Sequence, residues 1–185
     1  MTDAPPREDS DTARARALIE EAAKKSAMLW LRPAGGTADV PAQAAWHVWA
    51  DGAAYVVTGG LEQKIDCLVG LDADASLIVT VRSKDTGGRL VTWPARVRRI
   101  TPADGTWEPV VAALHGKRLN APDGEAQPGR WARESVVHRI EPTGELIEGP
   151  GHTTTGSHAA PPPSCPATTR GRLPFMVGRR ARRRR

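Results

Sequence analysis

Cysteine is nearly absent from the 185 residues: only Cys67 and Cys165 occur. There is no C-x-x-C pair, so neither a zinc site nor a disulfide framework is supported, and a reducing cytoplasm is the expected location. Long apolar runs are missing too, and nothing approaches the ~18 residues that span a bilayer. The first residues, MTDAPPREDSD, hold no apolar stretch, so no signal peptide is expected there. The sequence contains no GxGxxG, P-loop, HExxH or nucleophile elbow. Asp72 and Asp74 lack the remaining ligands of a calcium loop. Acid is missing from residue 149 onward, where eight arginines stand, whereas residues 1–148 carry 18 Lys+Arg against 21 Asp+Glu. The body of the chain is thus mildly acidic and only its tail is basic. That pattern argues against nucleic-acid binding by the whole protein.

Apolar residues make up 39% of the chain, enough for one domain with a real core. Residues 1–9 read as a disordered leader. A helix is expected from about Ser10 to Lys25, with Ala15, Ile19, Ala22 and Ala23 at helical spacing. Short β-type runs follow, divided by turn residues. They are MLWLR (28–32), AWHVWA (45–50), AAYVVT (53–58), SLIVTVRS (76–83), the stretch 89–99, and SVVHRIE (135–141). Asp51-Gly52 is a strong hairpin signal between the second and third. In the fifth, Val91, Trp93, Ala95 and Val97 share one face, and Pro94 predicts a bulge or an edge position. A second helix is expected over Trp107–Arg118, capped by Thr106, and a single turn near Trp131. The fold class is mainly β (α+β): six antiparallel strands in a closed or half-closed barrel, flanked by two or three helices, over residues 10–148. Residues 149–185, rich in Pro, Thr and Arg, read as a disordered tail, either one whose RRARRRR end could attach to nucleic acid or anionic lipid by counterion release or an accidental extension without function.

Two turns gather hydroxyls, glycine backbone and cations: Thr58-Gly59-Gly60, and Ser83 to Gly88 with Arg82, Lys84 and Arg89 beside them. Such groups suit a phosphate, although solvated hairpin turns share the same composition. Lys64 is a further candidate cation. His47, between Trp46 and Trp49, reads as a packing residue or cross-strand donor rather than a catalytic base. Six tryptophans against one Tyr and one Phe point to ring packing in the core or at a subunit interface.

The order of helix, MLWLR, AAWHVWADGAAYVVTGG, SLIVTVRSKDTGGRLVTWPARV and TWEPVVAALHGKRL resembles the pyridoxamine 5′-phosphate oxidase-like family, over about residues 12–145 and in the manner of actinobacterial members. The resemblance implies a split β-barrel that binds FMN or, in relatives, a deazaflavin, in a homodimer with cofactor sites between subunits. It implies redox chemistry on a small molecule, in which the cofactor supplies the hydride step. Family oxidases carry an Arg-Lys pair after the third strand, where this chain has Leu61-Glu62-Gln63 and then Lys64. They begin the second strand with an arginine, where this chain has Ala45-Trp46-His47. Phosphate contacts therefore fall to Arg82, Ser83 and Lys84, with Thr58, Gly59 and Lys64 nearby, and Trp93 or Trp49 is the expected wall of the isoalloxazine pocket. The alternative is a non-catalytic dimeric module that has lost the cofactor.

Overall fold

The computed structural model describes residues 7–35, 40–71, 75–154 and 156. In chain order the elements are α1 (Arg7–Lys25), β1 (Met28–Pro33), β2 (Gln43–Trp46), β3 (Val48–Ala50), β4 (Ala53–Thr58), β5 (Ala75–Arg82), β6 (Arg89–Ile100), α2 (Trp107–Lys117), α3 (Gln127–Glu134) and β7 (Val136–Pro142). All seven strands form one antiparallel sheet in the order β2-β1-β5-β6-β7-β4-β3.

The two outermost strands, β2 and β3, are consecutive pieces of one stretch, separated only by His47. The run 45–50 was expected as a single strand. Its first half pairs with β1 and its second half with β4. One bent stretch therefore serves both ends of the sheet and curls it into a half-barrel. The six expected strands become seven at that bend. Asp51 and Gly52 turn β3 into β4 with φ of 45° and 70°, as a tight primed turn requires.

Alternation in β5 and β6 sends Leu77, Val79, Val81, Val91, Trp93, Ala95 and Val97 into the barrel. Leu29 and Leu31 of β1 join them, and Ile19 and Ala23 of α1 close the assembly. A second core lies on the opposite face, where Val110, Val111 and Leu114 of α2 and Trp131 of α3 cover Tyr55, Val57 and Val137. α3 spans eight residues rather than a single turn. Thr106 does not cap α2: it is already helical at φ −87° and ψ −7°, and its side chain makes no cap bond.

Pro94 pairs with Ile78 of β5 but has no partner in β7, so it stands at a local edge rather than at a bulge; the bulge of this hairpin is at Val81/Arg82. Its carbonyl faces the β7 side and accepts from the Thr143 N–H at 3.1 Å, just past the end of β7. In an antiparallel strand the nitrogen of the same residue faces that side as well, so the missing donor falls where β7 has run out.

The ordered chain extends beyond residue 148, the expected end of the domain. Thr92 of β6 donates its N–H to the Glu148 carbonyl at 2.9 Å and accepts from the Ile147 N–H at 2.8 Å. Arg89 donates to both Glu148 carboxylate oxygens (2.7 and 3.1 Å), to the Thr154 carbonyl (2.8 Å) and to the Gly156 carbonyl (2.7 Å). Residues 146–154, with Gly156, thus form a strap along the sheet. Gly144 leads into it at φ +97°, where a Cβ would stand 2.9 Å from the Thr12 methyl of α1. The helix also begins at Arg7, inside the expected leader. Cys165, His158 and the arginines from 170 onward lie outside the described residues.

Burial alone would raise the Glu148 carboxyl, but the bonds from Arg89, Thr154 and Thr92 outweigh it and hold the pKa at about 2. A folded pKa below the unfolded one means that this stabilisation is complete above about pH 4.5 and disappears as pH falls toward 2. A chain ending at residue 156 should keep the full stability, whereas one ending at residue 148 should lose about 1–3 kcal/mol through the lost Thr154 and Gly156 bonds. Urea unfolding at pH 7 checks this, and equal midpoints for the two chains would show that the strap is not part of the fold.

Candidate functional site

Arg82, Ser83 and Lys84 leave the end of β5 together and line a cavity of about 400 Å³. Its apolar wall is Leu18 and Ala22 of α1 with Val81, Leu90 and Val91 of the sheet, and Lys25 adds a third cation. Glu21 and Asp85 are also on its wall. The Arg82 guanidinium lies 4.9 Å from the centroid of Trp30, a cation–π contact that aims it, and its Nε is buried without a partner. The turn itself is closed on its own backbone. Ser83 N–H donates to the Gly88 carbonyl (2.8 Å), Gly87 N–H to the Ser83 carbonyl (3.0 Å), and the N–H groups of Asp85 and Thr86 to the Ser83 hydroxyl (3.2 Å each). The expected cradle of N–H donors is therefore largely consumed, and what this turn can offer an anion is its two cationic side chains.

The remaining expected residues lie elsewhere. Thr58 is buried at the end of β4 and its hydroxyl pairs with His138 Nε2 at 3.0 Å. Lys64 is exposed and, like Thr58 and Gly59, does not border the cavity. Trp93 is 1% exposed in the barrel interior, so it presents no ring to a ligand here. Trp49 is packed against the same core.

The loop after β4, where this chain lacks the Arg-Lys pair of family oxidases, holds the fold together instead. Gly60, at φ +59°, passes so close to α3 that a Cβ would lie 3.2 Å from the Glu134 carbonyl. Glu62 then turns inward, its side chain fully buried. It accepts from Trp131 Nε1 (2.9 Å), Arg118 Nε (2.9 Å), Arg130 Nη2 (3.1 Å) and, at 3.4 Å, Gln127. Burial opposes its charge, yet the Trp131, Arg130 and Arg118 bonds keep its pKa below the ordinary value. Gln63 fills the gap left by the bend at His47. Continuing the β3–β4 register would place Trp46 opposite Val57, but the chain has turned away. The Gln63 amide accepts from Trp46 N–H (3.0 Å) and donates to both the Trp46 carbonyl (3.0 Å) and the Val57 carbonyl (3.2 Å). It stands in for the absent rung.

On the far side of Lys25, Ser26 and Lys84 a second groove of about 500 Å³ opens. Lys24, Lys25, Lys84, Lys117 and Arg118 line it with His47, Trp46 and Met28, and no carboxylate does. Its cations come from α1, the β5–β6 turn and the end of α2, so spacing along the chain could not reveal it. His47 donates Nε2–H to the Ala23 carbonyl at 3.1 Å, and burial, with the Lys117 ammonium adding, lowers its pKa to about 4. It is neutral at physiological pH. Burial likewise lowers His138 to about 4, with Arg99 contributing. Among the described residues no cluster of three or more His, Cys, Asp or Glu could hold a metal ion, and no helix is long and apolar enough to cross a membrane.

No family model matches the chain, and no curated protein does. Solved structures do. HutZ, the heme storage protein from Vibrio cholerae, superposes with a TM-score of 0.50 at 14% identity, over 70% of this chain and 90% of that one. The fold is a split barrel. General stress protein 26 from Jannaschia sp. CCS1 aligns at a TM-score of 0.48 and 14% identity, covering 70% of this chain and 74% of its own. ChuZ of Campylobacter jejuni aligns at 0.45 and 7%, over 70% and 53%. In this split barrel the split is the gap at His47, and Gln63 bridges it.

Two outcomes follow for stability. Glu62→Gln should cost about 3–5 kcal/mol in urea unfolding, because it leaves Arg130 and Arg118 around a buried neutral group; a loss below about 1 kcal/mol would remove Glu62 from this role. His47 and His138 have folded pKa values below their unfolded 6.5, so the unfolded chain binds protons first. Their contribution is intact above about pH 6.5 and falls as pH drops toward 4. His138→Gln should flatten that part of the stability–pH curve, and an unchanged slope would show that His138 takes up its proton without unfolding.

Proposed function

We propose that this split barrel binds a flavin-type cofactor, FMN or a deazaflavin, for redox chemistry on a small molecule. The observation that carries this reading is the Arg82-Ser83-Lys84 cavity, whose lining combines cations with an apolar wall. A flavin nucleotide has that division: a flat apolar ring system and a terminal phosphate. Arg82 and Lys84 would hold the phosphate, and Leu18, Ala22, Leu90 and Val91 would cover the ring. The cofactor supplies hydride transfer, and the protein's part is to place it and limit access of water. No general acid or base is required of the side chains.

HutZ stores heme on the same fold. Heme propionates would also suit the cations, but no histidine lines this cavity to ligate an iron. A homodimer belongs to the proposal, since Leu90 and Met28 stay 45% and 38% exposed beside the two cavities, where a second copy would cover them. The absorbance of the purified protein separates the classes: flavin bands support the reading, a Soret band supports heme, and a colourless protein that ignores added FMN supports a non-catalytic barrel. Arg82→Ala with Lys84→Ala should weaken FMN binding by about 2–4 kcal/mol in a fluorescence titration. Unchanged affinity would move the phosphate elsewhere.

A further inference from the structure

A groove of about 1050 Å³ runs between α1 and the strap. That is at the upper limit of small-molecule pockets, and a polypeptide segment fits it better than one small ligand. Its apolar lining comes from both sides: Ala15 and Leu18 from the helix, and Leu146, Ile147 and Pro150 from the strap. No described residue covers Leu146 and Ile147, which stay 38% and 50% exposed. The charge on the wall is mostly acidic, with Asp11, Glu21, Glu145 and Glu148 against Arg14. Lys25 holds Glu21 at 2.6 Å and Arg89 holds Glu148 at 2.7 Å. Asp11 and Glu145 make no ion pair with any described residue. The matching occupant is an apolar segment with cations at its flanks.

The chain carries such a segment outside the described residues. Residues 172–180 read RLPFMVGRR: an apolar run from Leu173 to Val177, with Arg172 before it and Arg179 and Arg180 after it. The run contains Phe175, the one phenylalanine of the chain, and no acid follows residue 148. The strap is tied to Arg89 as far as the Gly156 carbonyl. Residues 157–172 lie between that point and the apolar run, and they span up to about 50 Å when extended. The whole of α1, at 19 residues, is about 28 Å long, so the segment reaches every part of the groove. A tether of this length holds the segment at roughly millimolar effective concentration, which favours it over a free peptide of the same chemistry.

We propose that residues 172–180 dock in the groove between α1 and the strap of the same molecule, with the apolar run on Leu18, Leu146 and Ile147 and the flanking arginines toward Asp11 and Glu145. Leu18, Glu21 and Pro150 border the cofactor cavity as well, so the docked segment stands at its edge. The inference does not rest on the flavin reading.

A segment docked about half of the time adds only RT ln 2 to the folding free energy, too little to move a urea midpoint. Paramagnetic relaxation reads it directly. The full-length protein carries a nitroxide at Gly178→Cys, with Cys67→Ser and Cys165→Ser; Cys67→Ala replaces the serine if the parent amide spectrum is lost. At low salt the amides of residues 11–18 and 145–150 should lose about half of their intensity or more, while those of α3 keep theirs. Phe175→Asp should remove most of this loss, and Asp11→Asn with Glu145→Gln should reduce it about twofold. Uniform or absent broadening, broadening centred elsewhere, or a pattern that survives Phe175→Asp overturns the proposal. So does broadening of the same amides when nitroxide-bearing and isotope-labelled copies are separate molecules in one sample, because the segment then docks on a second copy.

Discussion

A single stretch of eight residues has to serve both ends of the sheet, and the bend at His47 that allows this leaves a rung of the ladder unmade. Unpaired backbone groups inside a barrel wall are expensive, so something must fill the position. Gln63 does so, with a side-chain amide that offers the same donor and acceptor as a peptide group. Glu62, its neighbour, draws in Arg118, Arg130 and Trp131 and so attaches α2 and α3 to the outside of the barrel. Two adjacent residues thus hold the inner wall and the outer layer in one arrangement.

That duty explains where the chemistry-bearing groups have gone. A loop whose carboxylate is buried under two guanidinium groups has no room for an anion. The cations that remain available stand around the β5–β6 turn, the end of α1 and the end of α2. Arg82 is fixed there by Trp30, and the turn that follows it is rigid because its N–H groups satisfy its own oxygens. Charge, rather than a cradle of backbone donors, is what that region presents.

The local features of the fold were readable in advance because they depend on near neighbours. Asp51-Gly52, the two faces of β5 and β6, and the helix from Trp107 all follow from spacing over a few residues. The bend at His47 was not readable, since AWHVWA alternates evenly through it and only the pairing partners differ. Glu62 stands out in the sequence only as a departure from the Arg-Lys pair, because its partners are 56, 68 and 69 residues away and nothing local announces them. Arg82, Ser83 and Lys84 did meet at one cavity, being consecutive. Lys117 and Lys24 escaped notice because they join the site only through tertiary packing. The strap to residue 156 was hidden by its Gly, Pro and Thr content, which resembles a linker until Arg89 is seen to hold it.

The Gln63 splint has a consequence for how this barrel meets other chains. A sheet that ends in open strands invites a further strand, either from a partner or from a copy of itself, and aggregation often starts that way. Here the two ends of the sheet face each other across a gap of one residue, and the backbone groups at that gap are already occupied by a side chain. An incoming strand would have to displace that amide before it could pair at Trp46. The same side chain that fills the bend also closes that position to strand exchange.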